Sequence, residues 1–236
     1  IMATMLAEKI AVLGSGITAR SVTKYAQKNK LLLVNPTEAD LVIASPGIVP
    51  SSFPETSAPI ISEIEFAYRL FQESASPPTL IAVTGTNGKS TATAMIAHIC
   101  DCPYAGNIGI PLIDYVGLEQ EFPIIVVELS SYQLETCYEF KPHVSVILNI
   151  TPDHLNRHGN MENYINEKAK CCNMQTPTDY VIYLEGDINV ESCVENCAAT
   201  PIPFSLQNLA DFPINPSRFL GDHNKLNAIA ALKVAS

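Results

Sequence analysis

The chain has 236 residues, of which 47% are hydrophobic and 16% charged, so it can bury the cores of two compact domains and is not a disordered chain. Its formal net charge of −10 at pH 7 excludes a broad basic face for nucleic acid, and no apolar run is long enough to cross a membrane. The seven cysteines include no Cys-x-x-Cys pair, so we expect reduced thiols in the cytoplasm rather than a zinc site or disulfides.

The first part of the chain alternates strands and helices in the manner of a parallel α/β domain. The predicted elements are a strand over residues 9–13, a helix to about residue 29, strands over 31–34 and 40–45, and an amphipathic helix over 62–72. Residues 74–78, with the sequence SASPP, cannot continue that helix and are predicted to be a linker. We therefore expect a short Rossmann-like domain over residues 1–76.

Residues 77–236 repeat this alternation and are expected to form a P-loop NTPase-like domain with a mostly parallel sheet. Strands are predicted over 79–83, 123–129, 144–150 and 180–184, and helices over 91–100, 161–171 and from about 221 onward. The strand over 123–129 is continuously apolar, as central parallel strands are. The last, alanine-rich helix is expected to continue to the final residue, Ser236.

A glycine-rich segment, GTNGKST over residues 85–91, follows the first strand of this second domain and opens a helix. Its glycines let backbone amides face an anion, the helix N-terminus adds positive charge, and Lys89 can reach phosphates. Ser90 or Thr91 can offer a hydroxyl to Mg²⁺. The spacing is shorter than in the standard phosphate-binding loop, with Thr84 at the position of its first glycine, so an ordinary glycine-rich turn is the alternative. The strand, the helix and the lysine together favour a phosphate-binding loop.

Three further side chains are candidates for the same site. Glu128 closes the apolar strand, where open α/β sheets bind ligands, and is predicted to bind Mg²⁺ rather than to be a solvated strand end. His154 follows the next strand and can bind Mg²⁺ or pair with an acyl phosphate; with His158 it raises the alternative of a zinc pair, although no third ligand has matching spacing. Lys168 lies on a predicted helix, and by itself it indicates a solvated surface charge.

The turn after the first strand, GSGITA over residues 14–19, is a weak form of the dinucleotide-binding fingerprint. A nicotinamide site needs an acidic residue at the end of the second strand, and Asn35 stands there instead. The same turn can hold the phosphate of a nucleotide-sugar on its helix N-terminus, or it can be a purely structural tight turn.

Five segments of the chain resemble the Mur ligase family. They are TGTNGKST at residues 84–91, AGNIG at 105–109, ELSSYQLE at 128–135, NITPDH at 149–154 and HNKLN at 223–227. Together they resemble the members that add D-glutamate to UDP-N-acetylmuramoyl-L-alanine in peptidoglycan synthesis. The resemblance runs from about Val12 to the last residue, and the segment at 128–135 is the one that separates this branch from its sister enzymes.

The resemblance implies an ATP- and Mg²⁺-dependent ligase that forms an amide bond. ATP would be cleaved to ADP, the carboxylate of UDP-N-acetylmuramoyl-L-alanine would become an acyl phosphate, and the amino group of D-glutamate would attack it. The enzyme would be cytoplasmic, and we expect a monomer that binds neither nucleic acid nor membrane.

The functional residues implied by the resemblance fall into four groups. The expected ATP contacts are Gly85, Thr86, Asn87, Gly88, Lys89, Ser90, Thr91, Asn224 and Asn227. The expected Mg²⁺ ligands are Ser90, Glu128, His154 and Lys168. The expected substrate contacts are Ile17, Thr18, Ser45, Asn107 and Ser130. Catalytic roles are expected for Lys89, His154 and Lys168, whose family counterpart is carbamylated and therefore presents a carboxylate-like group.

The chain also departs from the family pattern. Asn35-Pro36-Thr37 replaces an acidic strand end that binds uridine, and the third, amino-acid-binding domain of the family is not part of the sequence, so we expect a truncated chain. Three alternatives stay open: a sister ligase that adds another amino acid, a substrate- and nucleotide-binding fragment without turnover, and a nicotinamide-dependent oxidoreductase domain. Asn35 counts against the last of these.

Overall fold

The computed structural model describes residues 7–212, 215 and 220–236, which form two compact units. The first unit contains the described residues up to 78 together with residues 110–123 and 132–140. The second contains residues 79–109, 124–131 and the described residues from 141 onward. Two later segments thus belong to the first unit, whereas the sequence analysis placed one division between residues 76 and 77; the ligand assigned to each domain stays a prediction.

The first unit is built on four parallel strands. Its regular elements are β1 (Lys9–Leu13), α1 (Ile17–Lys28), β2 (Leu32–Leu33), β3 (Leu41–Ala44), β4 (Ile60–Ser62) and α2 (Glu63–Gln72), with 3-10 turns at Pro36–Glu38, Pro50–Ser52 and Leu112–Tyr115. The strands lie in the order β2-β1-β3-β4, and each neighbouring pair is parallel. All four residues of β3 are buried, because a central parallel strand is covered on both faces.

A buried carboxylate holds the segment 132–140 to the first unit. Glu65 of α2 is fully buried and accepts hydrogen bonds of 3.0 to 3.2 Å from the backbone amides of Tyr138, Glu139 and Phe140. The guanidinium of Arg69 donates to the same carboxylate at 2.8 Å. Because a buried charge is stable only when such donors replace water, Glu65 ties this segment to α2.

Among the described residues from 79 onward, the structure has six strands and six helices. They are β5 (Thr79–Thr84), α3 (Lys89–Ile99), β6 (Tyr104–Gly106), β7 (Ile124–Glu128), α4 (Ser131–Leu134), β8 (Val144–Ile147), α5 (Leu155–His158), α6 (Met161–Ala169), β9 (Tyr180–Leu184), α7 (Ile188–Val194), β10 (Thr200–Phe204) and α8 (Asp222–Val234), with a 3-10 helix at Leu206–Asp211. The sheet of the second unit has the order β10-β9-β8-β5-β7-β6, and its neighbouring strands are parallel.

The core of the second unit lies between this sheet and the helices α3 and α8. Val83, Val126 and Val146 of the three central strands are fully buried and belong to one cluster with Ile96 of α3 and Ile229 of α8. Burial of each such side chain contributes about 1.5 to 3 kcal/mol. The strand β5 and the helix α3 are thereby fixed on both sides of the loop that joins them.

The predicted α/β class, a short Rossmann-like unit followed by a P-loop NTPase-like unit with a mostly parallel sheet, is confirmed. Three short strands, β4, β6 and β10, were not predicted. In β10 the prolines at 201 and 203 conceal the strand pattern in the sequence. They are tolerated because β10 is an edge strand, and the backbone nitrogens of alternate residues point away from its neighbour β9, where no hydrogen bond is needed.

Several predicted elements end one to three residues earlier than expected; the helix predicted over 161–171, for example, ends at Ala169. The strand predicted over 144–150 ends at Ile147, because Asn149 leaves the sheet to bond the glycine-rich loop. The last helix ends at Val234 rather than continuing to Ser236. Every helix among the described residues is too short or too polar to cross a lipid bilayer.

The carboxyl group of Glu63 is predicted to make the stability of the first unit depend on pH. Glu63 is buried and accepts a 2.6 Å hydrogen bond from the amide of Ile113. Burial raises the pKa of Glu63 from 4.5 to about 7, despite that bond. The folded state therefore holds one more proton than the unfolded state between these values, and stability falls as pH rises through the window, by roughly 3 kcal/mol at most.

We expect Glu63→Gln, which keeps an acceptor for Ile113, to remove this dependence. The free energy of unfolding, measured by chemical denaturation in a pH series, should decline between pH 4.5 and about 7 less steeply in the variant than in the wild type. Glu55→Gln, at an exposed position of the same unit, is the matched control and should follow the wild-type curve. Parallel curves for wild type and Glu63→Gln would refute the assignment.

Candidate functional site

The loop over residues 85–88 joins β5 to α3 and has two backbone positions that require glycine. Gly85 has φ of 149° and Gly88 has φ of 86°. A Cβ atom on Gly88 would lie 2.5 Å from Oδ1 of Asn227, and one on Gly85 would lie 3.1 Å from the Cβ of Leu148. With Gly88 as its N-cap, α3 starts directly at the loop, so the amides of its first turn are available to an anion.

The loop is tied to the segment that follows β8. The amide of Thr86 donates to the carbonyl of Asn149 at 2.8 Å. The side chain of Asn149 bonds both polar groups of the Asn87 backbone: its Oδ1 accepts from the amide and its Nδ2 donates to the carbonyl, each at 2.9 Å. The hydroxyl of Thr86 accepts from the amide of Thr151 at 3.0 Å. These bonds hold the loop in one conformation.

Two lysine side chains meet at one carbonyl of the loop. Lys89 Nζ donates to the carbonyl of Gly85 at 3.0 Å and to that of Thr86 at 2.9 Å. Lys168 Nζ, from α6, donates to the carbonyl of Gly85 at 2.8 Å. Lys168 is 1% exposed, so the interpretation of this residue as a solvated surface charge is wrong.

Burial lowers the pKa of both lysines. It lowers the pKa of Lys168 to about 7, and the nearby charge of Lys89 lowers it further in the same direction. Burial also lowers the pKa of Lys89, although the charges of Glu128 and Asp153 oppose this shift. Near neutral pH Lys168 is therefore divided between its ammonium and its free amine.

Tyr164 connects Lys168 to the loop from the same helix face. Its ring centroid lies 4.7 Å from Lys168 Nζ, and its hydroxyl lies 3.1 Å from that of Thr86. Residues 164 and 168 are one helical turn apart, and both are buried. The helix α6 thus supports the loop with two side chains.

Glu128 lies at the end of β7, beside β5 in the sheet, and is 1% exposed. Its Oε1 accepts a 2.7 Å hydrogen bond from Nδ2 of Asn107. The backbone amide of Asn107 also donates to the backbone carbonyl of Glu128. Its Oε2 is buried and has no hydrogen-bond partner within the described part of the chain. A buried carboxylate oxygen in that state is costly, and a cation is the partner that would satisfy it.

These groups line one cleft of about 340 Å³. Its lining residues are Thr86, Asn87, Gly88, Lys89, Ser90, Thr91, Asn107 and Glu128. One wall offers amides, hydroxyls and a lysine, which suit phosphate oxygens, and the other offers a carboxylate, which suits a hard cation. The cleft therefore has donors for both parts of a metal-bound phosphate group.

A larger cavity of about 570 Å³ adjoins the loop at Asn87 and Gly88. It is lined by Asn87, Gly88, Leu148, Asn149, Thr151, Leu184, Phe204, His223, Leu226 and Asn227. Its size and its mixture of apolar walls with a few amide groups are typical of sites for flat heterocyclic ligands. Asn227, one of the predicted ATP contacts, is buried between this cavity and Gly88.

Three other residues predicted for this site, His154, Asn224 and Ser130, line neither the cleft nor the larger cavity. His154 has a left-handed φ of 52° and a half-exposed side chain, with Nε2 at 3.5 Å from the carboxylate of Asp153. Asn224 donates from Nδ2 to the carbonyl of Leu220 at 2.8 Å and is not among the residues that line the cavity. Ser130 is half-buried, two residues after Glu128. Their roles stay predictions.

His158 has a structural environment. It is buried, its Nε2 lies 3.0 Å from the hydroxyl of Ser131, and its ring stacks at a tilt on Tyr164. Across residues 7–212, 215 and 220–236, no group of three His, Cys, Asp or Glu side chains is arranged to hold a metal ion. A cation in the cleft would therefore depend on Glu128, hydroxyls, water and phosphate oxygens.

The first unit has its own glycine turn between β1 and α1. Gly14 has φ of 114°, and a Cβ there would lie 2.5 Å from Oγ of Ser45. That hydroxyl is buried, and none of the residues that the structure describes bonds it. Ile17 begins α1 and is 55% exposed, and Thr18 follows it half-buried. Three predicted substrate contacts thus cluster at this turn, while Asn107 and Ser130 belong to the second unit.

Sequence reasoning missed three residues of the site. Asn149 and Thr151 entered the sequence analysis only as part of a family segment. An asparagine near the end of a buried strand is nevertheless a signal for a hydrogen bond to a neighbouring loop. Tyr164 carried no signal alone, but its spacing of four from Lys168 places both on one face of the helix. The charge of Asp153 on both lysines depends on distances that sequence spacing does not define.

Comparison with known proteins identifies relatives of the chain. A family model described as the Mur ligase middle domain matches residues 83–215. The UDP-N-acetylmuramoylalanine--D-glutamate ligase of Clostridioides difficile (strain 630) is 42% identical, and the match covers 71% of this chain and 39% of that protein. The ligase of the same name from Alkaliphilus metalliredigens (strain QYMF) is 36% identical, and the match covers 82% of this chain and 48% of that protein. The chain spans about half the length of these relatives, or less.

Solved structures share the fold. A crystal structure of UDP-N-acetylmuramate:L-alanyl-gamma-D-glutamyl-meso-diaminopimelate ligase from Neisseria meningitides has a TM-score of 0.64 at 14% identity, with 97% of this chain and 93% of that chain covered. A crystal structure of MurF from Acinetobacter baumannii has a TM-score of 0.58 at 18% identity, with 96% of this chain and 59% of that chain covered. At these identities the likeness concerns the fold alone.

The side chain of Asn149 is predicted to fix the conformation of the glycine-rich loop through its two hydrogen bonds to Asn87. Asn149→Ala removes two hydrogen bonds to Asn87, each contributing about 1 kcal/mol, so amide exchange at Asn87 should become about thirtyfold faster. Hydrogen–deuterium exchange followed by NMR measures this. Asn166→Ala, at an exposed position of α6, is the control and should leave exchange at Asn87 unchanged. Unaltered exchange in Asn149→Ala would show that the loop is held by other bonds.

Proposed function

The chain belongs to the Mur ligase family, and on that premise we propose that it carries the nucleotide-binding and UDP-sugar-binding parts of a ligase that joins D-glutamate to UDP-N-acetylmuramoyl-L-alanine. The proposal rests on the cleft that Lys89 and Glu128 both line beside the glycine-rich loop. In this cleft the buried Oε2 of Glu128 has no hydrogen-bond partner among the described residues. The names of the relatives support D-glutamate as the amino acid that is added.

The phosphates of ATP are proposed to bind in the cleft between the loop and Glu128. The amides at the start of α3 and the hydroxyls of Ser90 and Thr91 donate to phosphate oxygens. Lys89 exchanges its bonds to the carbonyls of Gly85 and Thr86 for bonds to phosphate. The lowered pKa of Lys89 returns toward its ordinary value when it gains this anionic partner.

Glu128 fits a Mg²⁺ ligand. Its Oε2 finds no partner among the described residues, and Asn107 holds Oε1 so that the carboxylate cannot turn away. Mg²⁺ commonly uses one or two protein oxygens together with water and phosphate, which agrees with a site that lacks a dense cluster of acidic side chains. Bound there with Ser90, the ion would neutralise the charge of the transferred phosphoryl group.

The adenine ring is proposed to occupy the cavity of about 570 Å³ beside the loop. Leu148, Leu184 and Phe204 supply apolar contacts, and Asn227 supplies an amide at the end nearest Gly88. Asn224 reaches the ring only if it gives up its bond to the carbonyl of Leu220. The cleft and the cavity adjoin each other, because Asn87 and Gly88 line both.

The reaction proceeds in two balanced steps. The carboxylate of the UDP-sugar substrate attacks the terminal phosphorus of ATP, so an acyl phosphate forms and ADP leaves. The amino group of D-glutamate then attacks the acyl carbon, an amide bond forms, and inorganic phosphate and a proton are released. Lys89 is proposed to stabilise the transferred phosphoryl group, and His154, whose Nε2 lies 3.5 Å from the carboxylate of Asp153, is proposed to pair with the acyl phosphate.

Carbamylated Lys168 and His154 are proposed to be ligands of a second Mg²⁺ ion, distinct from the one at Glu128 and Ser90. With a pKa of about 7, a large share of Lys168 is free amine at neutral pH, and only the free amine can add carbon dioxide. The substrate is proposed to contact Ile17, Thr18, Ser45, Asn107 and Ser130. A cytoplasmic location, a monomeric state and the lack of nucleic-acid and membrane partners stay predictions.

A second candidate function is binding without turnover. It is favoured by one observation: the chain spans about half the length of the relatives that it matches, or less. In that case the chain binds Mg-ATP and the UDP-sugar but forms no product with any amino acid. The two candidates therefore share the binding sites and differ in the release of ADP.

Removal of one charge tests the Mg²⁺ assignment. Calorimetric titration with a non-hydrolysable ATP analogue should show about tenfold tighter binding with Mg²⁺ than with EDTA, because the ion bridges the phosphate and Glu128. Glu128→Gln should lose most of this difference, whereas Glu195→Gln, an exposed carboxylate outside the cleft, should keep it. A Mg²⁺ effect that persists in Glu128→Gln would sink the assignment of this ligand.

Amino-acid specificity is tested by ADP release with UDP-N-acetylmuramoyl-L-alanine and a set of amino acids. We expect release with D-glutamate and none with L-lysine or diaminopimelate. The assay is run on this chain and on a fusion in which the C-terminal part of one curated relative follows Ser236. Turnover only in the fusion supports the binding function for the isolated chain, and turnover with a different amino acid refutes D-glutamate while leaving the family intact.

A further inference from the structure

The glycine-rich loop contains a dipeptide that can react without any ligand. Asn87-Gly88 is the only Asn-Gly step in the 236 residues. Glycine has no side chain to shield its backbone nitrogen, so this nitrogen can attack the side-chain amide carbon of the preceding asparagine. Asparagine is among the heat-labile residues of proteins, and a flexible Asn-Gly step is where it loses ammonia most readily. The sequence therefore indicates that Asn87 is chemically reactive.

The structure requires the glycine of this step. Gly88 has a φ of 86°, and a Cβ atom there would lie 2.5 Å from Oδ1 of Asn227. A side chain at position 88 would be strained by this backbone conformation and would also collide with α8. Replacement of Gly88 is therefore not a way for the chain to avoid the reactive step.

The two groups that would react are free of other bonds. None of the residues 7–212, 215 and 220–236 forms a hydrogen bond with the side-chain amide of Asn87 or with the backbone N–H of Gly88. The side chain of Asn87 is half-buried, and Asn87 lines both the cleft and the larger cavity. The contacts of this side chain therefore do not prevent attack by the nitrogen of Gly88.

The backbone around the step is held instead. Asn149 bonds the amide and the carbonyl of Asn87, each at 2.9 Å, and the carbonyl of Gly88 accepts from the amide of Ala92, also at 2.9 Å. Ring closure between Asn87 and Gly88 requires rotation about the Cα–C bond of Asn87. This rotation turns the carbonyl of Asn87 away from Nδ2 of Asn149. The loop must therefore open locally before the nitrogen of Gly88 can reach the side chain.

We propose that Asn87 is a latent deamidation site and that the two hydrogen bonds from Asn149 suppress its reaction in the folded protein. The nitrogen of Gly88 attacks Cγ of Asn87, and Nδ2 leaves as ammonia with the amide proton of Gly88, so a cyclic imide forms. Water then opens the ring at either of its two carbonyl carbons. One product has aspartate at position 87, and the other has isoaspartate, in which the backbone runs through the former side chain. The reaction needs no oxidant and no cofactor.

Both products change the loop. Aspartate adds a negative charge close to Lys89 in the sequence, and isoaspartate lengthens the backbone between β5 and α3. Where the loop binds the phosphates of ATP, either change weakens that binding, and this consequence rests on the proposed function. The deamidation itself does not, because it involves only the chain and water and is measured without a nucleotide.

Comparison with a free peptide tests the protection. The wild-type protein and the peptide TGTNGKST, with the sequence of residues 84–91, are incubated at mildly alkaline pH. Mass spectrometry of digested samples follows the conversion of Asn87 to aspartate and isoaspartate. Because two hydrogen bonds must break, we expect the protein to react about thirtyfold more slowly than the peptide, or slower still. Equal rates in protein and peptide overturn the proposal.

Two variants assign the protection to Asn149. Asn149→Ala should deamidate at Asn87 about thirtyfold faster than the wild type, because both bonds to Asn87 are lost. Asn189→Ala is the matched control: it removes a 2.8 Å hydrogen bond to the carbonyl of Ile150, leaves both bonds to Asn87, and should react like the wild type. An unchanged rate in Asn149→Ala contradicts the proposal, and so does equal acceleration in both variants, which indicates a general loss of stability.

Asn149→Asp separates the two bonds and replaces Asn149→Ala if circular dichroism shows that the alanine variant is unfolded. The carboxylate keeps an acceptor for the amide of Asn87 but has no donor for its carbonyl, so rotation about the Cα–C bond of Asn87 becomes easier. Deamidation at Asn87 should therefore be about fivefold faster than in the wild type, or faster still. A wild-type rate in folded Asn149→Asp would refute the role of the carbonyl bond and with it the proposal.

Discussion

Two lysines donate to one backbone carbonyl at the glycine-rich loop, and the roles that we propose for both lysines depend on that arrangement. Lys89 and Lys168 both donate to the oxygen of Gly85, within 3.0 Å. Burial, and to a smaller extent the charge of Lys89, lowers the pKa of Lys168 to about 7. The ring of Tyr164 offsets part of the cost of a buried ammonium group. A ligand with several negative oxygens would offset more of it, which agrees with the polyphosphate that we propose for this loop.

The parallel sheet brings the partners of this loop together. β5, β7 and β8 are neighbours and run in the same direction, so their carboxyl ends reach one edge of the sheet. The loop follows β5, Glu128 closes β7, and Asn149 follows β8. Asn87 and Asn149, which are 62 positions apart in the chain, therefore meet at this edge of the sheet.

Sequence reasoning captured the groups that sit on regular elements and missed those that depend on packing. The strand–loop–helix around residues 85–91 and the carboxylate at 128 were predicted from periodicity and position. Lys168 alone was predicted to be at the surface, because an unbranched cation on a helix is usually solvated, and only the family resemblance indicated a buried role. The edge strand β10 was missed because its two prolines suppress the usual strand pattern.

The sequence by itself determined the alternation of strands and helices, the glycines at 85 and 88, and the chemical types at the site, because backbone sterics and hydrophobic periodicity act over short stretches. Only the tertiary structure decided that Oε2 of Glu128 is left without a partner in the described part of the chain and that Lys168 reaches the carbonyl of Gly85. Burial, charge separation and hydrogen-bond geometry depend on distances between segments that are remote in the chain, and folding alone sets those distances.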